Sequence, residues 1–167
     1  MRIHRTPGTP GTPDRRLDTL AADGHHPPMF HHLLVPLDFT DKNDAAVSIA
    51  IETARRDEAE ITLLHVIETI DHMEFDEMAD FYRKLETRAA AKMAVLAERC
   101  NGAGARTRYE IVFGKRAEAI LKVAADSPTD LIVLSSHRVD REHPALGLGT
   151  ISYQVAIVAR CPVLLVK

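Results

Sequence analysis

From residue 30 onward the chain alternates between two kinds of hydrophobic pattern. Two short, nearly continuous apolar runs, Leu33-Leu-Val-Pro-Leu37 and Ile61-Thr-Leu-Leu-His-Val-Ile67, flank a stretch with apolar residues at helical spacing, Ala45, Ile49, Ala50 and Ala54. These predict a strand β1 at 33–37, a helix α1 at 41–56 and a strand β2 at 61–67. A longer stripe follows, Phe75, Met78, Tyr82, Leu85, Ala89, Met93 and Leu96. Its steps of three and four predict a helix α2 with one face on a core. Asn101-Gly-Ala-Gly104 stops that helix, because glycine adopts the left-handed conformation of a C-terminal cap at little cost.

The second half repeats the alternation. Tyr109-Glu-Ile-Val-Phe113 predicts β3, broken by Gly114, and Ala117, Ile120, Leu121 and Ala124 predict α3 ahead of the Ser127-Pro128 turn. Residues 130–136 predict β4. Residues 150–160 predict α4, capped by Thr150 and burying Ile151, Val155 and Val158, and residues 162–166 predict β5. Strands rich in Val, Ile and Leu with helices between them imply a parallel sheet covered on both faces by right-handed crossovers, a doubly wound α/β fold. In such sheets a ligand sits beyond the carboxyl ends of the strands, where the winding reverses. The loops that begin at Asp38 and at Ser135 are therefore the candidate site.

The first 28 residues fall outside this pattern. Thr6-Pro-Gly-Thr-Pro-Gly-Thr-Pro13 and His25-His-Pro-Pro28 cannot build a core, so residues 1–28 are expected to be a disordered Pro/Gly-rich extension and residues 29–167 a single domain. A chain of 167 residues that is 46% apolar is long enough for one domain with a real core. The formal charge of −3, with basic residues scattered, gives no electrostatic footprint for nucleic acid or an anionic membrane. No apolar run approaches the roughly 20 residues that cross a bilayer, and the N-terminal arginines precede no apolar stretch. A cytoplasmic chain with neither nucleic acid nor membrane as partner is expected.

The chemistry-bearing residues narrow the function further. Cys100 and Cys161 lack CxxC spacing and read as free thiols. Of nine histidines, His25, His26, His31 and His32 straddle the extension and the first strand, and His137 and His143 have no carboxylate or cysteine at ligand spacing. His65 reads as a satisfied histidine within β2, so no metal site is expected. The adjacent Ser135-Ser136-His137 is not a catalytic pair, because neighbouring side chains point in different directions, and no GxSxG motif is present. The loop after β1, Asp38-Phe-Thr-Asp-Lys-Asn-Asp44, carries neither GxGxxG nor GK[ST]. No catalytic residue is assigned.

Leu34-Val-Pro-Leu-Asp-Phe-Thr40, Leu63-Leu-His-Val-Ile67, Gly114 with Glu118-Ala-Ile120, Asp130-Leu-Ile-Val133, Gly149-Thr150 and Cys161-Pro-Val-Leu-Leu-Val166 together resemble the universal stress protein family, in the right order from Met29 to Lys167. The resemblance implies a five-stranded sheet of order 3-2-1-4-5, Rossmann-like and similar to the adenine nucleotide alpha hydrolases. It implies a stress-response module in which ATP, with magnesium, lies at the carboxyl ends of β1 and β4. Adenine and ribose would then sit near Pro36, Asp38 and Val66, and phosphates near Ser135, Ser136, His137, Arg138, Gly149, Thr150 and Ser152.

Members of that family that bind ATP carry Gly-x-x-Gly, nine residues, then Gly-Ser or Gly-Thr. Here Ser135 and Arg138 stand at the two glycine positions, and ten residues, Val139 to Leu148, precede Gly149. Arg138 and Arg141 could replace lost amide donors with charge-assisted contacts. Two readings stay open: a binding module for ATP, with weak hydrolysis at most, or a dimeric interaction module with a vestigial phosphate site and no nucleotide. Under either, the resemblance implies a homodimer paired through the apolar edge strand Val163, Leu164, Leu165 and Val166, with a further protein partner of unknown identity.

Overall fold

A computed structural model describes residues 27–70, 78–136 and 149–167. The elements run β1 (His32–Leu37), α1 (Asn43–Asp57), β2 (Glu60–Ile67), α2 (Ala79–Gly102), β3 (Arg106–Phe113), α3 (Arg116–Asp126), β4 (Leu131–Ser135), α4 (Ile151–Val158) and β5 (Val163–Val166). All five strands are parallel, in the order β3-β2-β1-β4-β5. The register sets Val35 beside Leu63 on one side of β1, and Leu33 beside Leu131 on the other.

Two cores follow from strand alternation. Leu33, Val35, Leu37, Ile61, Leu63 and Val133 point to the face covered by α1 and α2, where they meet Ala46, Val47, Ala50, Met93 and Cys100. Leu34, Leu64, Val66, Ile132 and Leu134 point to the opposite face, against Ile120 of α3 and Val155 of α4. Leu34, Leu64 and Ile132 are fully buried, each contributing about 1.5–3 kcal/mol through removal from water. The chain enters this frame through two carboxylates. Asp130 accepts the amides of His31 and His32 at 2.7 and 3.0 Å, and buried Asp57 accepts that of Phe30 at 3.1 Å while Arg56 grips it at 2.7 Å.

Two expected helix faces are corrected. On α1 the buried apolar residues are Ala46, Val47, Ala50, Ile51 and Ala54, whereas Ala45 and Ile49 are exposed. Apolar residues lie almost all round the first turns of this helix, so spacing alone does not choose the buried side. On α4, Val155 is buried and Ile151 half-buried, but Val158 is exposed, for the same reason. The α2 face holds: Tyr82, Ala89 and Met93 are buried, and Met78, Leu85 and Leu96 half-buried. Gly104, with φ of +85°, follows the end of α2 and closes it, its amide donating to the Asn101 carbonyl at 2.9 Å. The Thr6–Pro13 tract, His25, His26, Phe75 and His143 lie outside the described residues.

Candidate functional site

A cavity of about 1030 Å³ opens over the carboxyl ends of β1, β2 and β4. It lies where the chain leaves β1 toward one face and leaves β4 toward the other, the switch point of a doubly wound sheet. Pro36, Asp38, Val66, Ser135, Gly149, Thr150 and Ser152 all line it. Ser136 joins the group from behind, its hydroxyl 3.1 Å from that of Ser152. His137 and Arg138 lie outside the described residues.

The β1 side of the site is a tightly bonded turn. The Asp38 carboxylate accepts the amide of Thr40 at 3.0 Å and its hydroxyl at 2.7 Å, and Phe39 between them takes a left-handed φ of 61°. A bulky residue there is strained and is held by its surroundings. Burial raises the Asp38 pKa, but the Thr40 and Asn43 hydrogen bonds and its own amide outweigh it, so the carboxyl titrates below 3.8. Asn43, in the first turn of α1 and 6% exposed, accepts the Asp38 amide at 3.1 Å and donates to the Ser135 hydroxyl at 3.0 Å. One side chain thus ties the loop after β1 to the end of β4.

The β4 side presents hydroxyls at the N-terminus of α4. Thr150 caps the helix by accepting the Tyr153 amide at 3.3 Å, and its hydroxyl lies 3.2 Å from that of Ser152. Gln154 donates to the Gly149 carbonyl at 3.2 Å. Among the described residues, none packs within 4 Å of the position a side chain on Gly149 would take. The helix end and its hydroxyls suit an anionic oxygen group.

The sequence did not point to the opposite lobe of the cavity. His65 faces α2, and its Nδ1 lies 2.8 Å from the Leu37 carbonyl; a carbonyl only accepts, so Nδ1 carries the proton. Burial lowers the His65 pKa, favouring the neutral ring. Phe39 stacks on it with centroids 4.2 Å apart, and the Lys92 ammonium stands 4.8 Å from the Phe39 centroid. Glu68, at the rim, is paired with Arg116 at 3.1 Å. Among the described residues no three His, Cys, Asp or Glu side chains cluster to hold a metal ion, and no helix is long and apolar enough to cross a membrane. Cys100 is a buried free thiol and Cys161 a half-buried one, both pushed up in pKa by burial.

A doubly wound parallel sheet of order 3-2-1-4-5, with its cavity at the β1/β4 reversal, makes this a Rossmann-like α/β domain. The chain belongs to the universal stress protein family, whose sequence profile matches residues 29–167. Universal stress protein YxiE of Bacillus subtilis is 29% identical over 154 aligned positions, covering 83% of this chain and 100% of that protein. The solved structure of MJ0577, a universal stress protein of Methanocaldococcus jannaschii, superposes with a TM-score of 0.68 at 28% identity, covering 83% and 96% of the two chains. A universal stress protein from Archaeoglobus fulgidus, solved in complex with dAMP, shares the fold at a TM-score of 0.60 and 15% identity, over 83% and 99% of the chains.

Proposed function

We propose that this chain is a stress-response binding module that holds an adenine nucleotide, ATP with magnesium, across the carboxyl ends of β1 and β4, and that occupancy biases its association with partners. The observation that carries this is the set of three hydroxyls, Ser136, Thr150 and Ser152, gathered at the N-terminus of α4, of which Thr150 and Ser152 line a cavity with apolar walls at Pro36 and Val66. Hydroxyls and helix amides suit phosphate oxygens, and the apolar walls suit a base. With no protein cage for the ion among the described residues, magnesium would ride on the phosphates and water. The dAMP complex of the Archaeoglobus fulgidus relative makes adenine nucleotides the ligands to test first.

Isothermal titration of the full chain with Mg-ATP tests the reading. The expected result is saturable heat that is lost in T150A/S152A while the circular dichroism spectrum stays that of the wild type. No heat from the wild type at millimolar nucleotide overturns it.

A second reading is favoured by Ser135. Its hydroxyl is already engaged by Asn43, at the position where ATP-binding members are expected to carry glycine. In that reading the chain is a dimeric interaction module and the phosphate site is vestigial. Nucleotide released from protein denatured directly out of cells would exclude it.

A further inference from the structure

The cavity straddles the carboxyl end of the sheet and is lined from both faces. Strand alternation sends Val66 to the α3/α4 face and His65 to the α1/α2 face, and both line the same space. At about 1030 Å³ it lies at the upper end of the roughly 300–1,000 Å³ typical of small-molecule pockets, so a ligand on the α4 side leaves the α2 side unfilled. The α2 lobe has a composition of its own. Phe81, Leu85, Arg88 and Lys92 follow one another at i, i+4, i+7 and i+11, a single stripe of α2 facing the cavity. Its first half is apolar and its second half cationic.

Each half is available to a ligand. Phe81 is 45% exposed, as is Ile70 opposite at 48%, and the Ile70 amide is fixed by the Tyr82 hydroxyl at 3.0 Å. Apolar side chains exposed at the mouth of a cavity gain by being covered. Arg88 and Lys92 are like charges one turn apart, which repel, and neither has a carboxylate within ion-pair distance among the described residues. The acidic groups bordering the cavity are taken: Glu68 by Arg116, Asp38 by Thr40. Lys92 is steered over the Phe39 ring, itself backed by His65, so its ammonium is placed toward the cavity.

We propose that this lobe is a second binding subsite, separate from the hydroxyls of α4, for a small organic anion with an apolar, ring-bearing body. The ring lies along Phe81, Leu85 and Ile70, and the anionic group, a carboxylate, sulfonate or phosphate, meets Arg88 and Lys92. Shared occupancy with a nucleotide would let two small molecules act on one switch point.

Fluorescence titration of the full chain with anilinonaphthalene sulfonate, an aromatic sulfonate, tests the site. Saturable binding is expected, weakened at least about tenfold by R88E/K92E and by F81D, since one removes the charge-assisted contact and the other the apolar wall. T150A/S152A should bind the probe as the wild type does, and Mg-ATP should leave it bound. Because Arg88, Lys92 and Phe81 are exposed, unchanged circular dichroism melts keep the comparison clean. Wild-type probe affinity in both variants, or competitive displacement of the probe by Mg-ATP, overturns the proposal. Failure of Mg-ATP to bind at all bears only on the nucleotide reading.

Discussion

The Asn43 amide group donates to the Ser135 hydroxyl at 3.0 Å across 92 residues of sequence, while its carbonyl oxygen holds the Asp38 amide at 3.1 Å. β1 and β4 are neighbours in the sheet, but their paired residues lie toward the other end, at Leu33 and Leu34. Asn43, from the first turn of α1, joins their carboxyl ends beyond that register. The bridge explains both why a polar side chain is buried there and why the turn Asp38–Thr40 keeps its shape.

Removing this bridge leaves two polar groups without their partner. Asn43→Ala is expected to destabilise the fold by about 1–3 kcal/mol, the cost of unsatisfied buried groups, read as a lower urea midpoint at unchanged slope. Asn43→Asp keeps an acceptor for the Asp38 amide and for the Ser135 hydroxyl proton but buries a carboxylate beside that of Asp38, and should destabilise the fold at least as much as alanine at neutral pH. An alanine variant as stable as the wild type would show that water replaces the bridge without loss.

The order of elements and the doubly wound sheet were legible because β1, β2, β4 and β5 carry short apolar runs, and α2, α3 and α4 are each separated from the next strand by glycine or proline, Gly104, Pro128 and Pro162. The sides of α1 and α4 were not, because Ala45, Ile49 and Val158 extend the apolar pattern beyond the face that is buried. Asp38, Ser135 and Thr150 were legible as candidates, and they line the cavity, because they follow or end strands or open a helix, at the strand ends where such folds bind. Asn43 and Lys92 could not, since their meaning comes from contacts with distant loops: each reads locally as an ordinary polar residue on a helix. His65 is satisfied within the sheet, as its pattern suggested, by the Leu37 carbonyl. Its place against Phe39 and the cavity depended on Phe39 adopting a left-handed backbone that no propensity predicts.

His65 should make stability depend on pH. Burial, reinforced by the positive charges of Arg116 and Lys92, lowers its pKa below 6.5 against the opposing pull of the Leu37 carbonyl and Asp38. Above 6.5 the ring is neutral in both folded and unfolded chains, and the full stability is present. As pH falls below that value the unfolded chain takes up a proton that the folded chain resists, so stability is lost progressively down through the folded pKa. His65→Gln keeps a donor for Leu37 without titrating. The wild type should lose more stability than this variant between about pH 7.5 and about pH 5.5, measured by urea unfolding; equal losses would assign the effect to other groups. The lowered carboxyls of Asp38 and Asp57 act only in a more acidic window, below 3.8.

Thr150 combines a helix cap with a place on the cavity wall. Thr150→Ala removes the acceptor for the Tyr153 amide and is expected to cost about 0.5–2 kcal/mol of stability. Thr150→Ser retains the oxygen and should restore both the melting temperature and, under the proposed function, nucleotide binding. If serine restores stability but not binding, the threonine methyl rather than the hydroxyl shapes the wall.

β5 lies at one edge of the sheet, and beside it α4 exposes Tyr153, Ile157 and Val158. Val163 and Leu165 pack against the α3/α4 core, whereas Leu164 points the other way and is 40% exposed. A self-complementary pairing of two copies along β5 would extend the sheet and cover this apolar surface, as a two-fold interface requires. Leu164→Lys is therefore the informative change, because Leu165→Lys would place a charge against the core and lower stability whatever the oligomeric state. The full chain is expected to scatter light as a dimer and Leu164→Lys as a monomer with a wild-type circular dichroism spectrum. A Leu164→Lys variant that remains dimeric would move the interface off β5, and Ile157→Glu would then show whether the exposed face of α4 carries it instead.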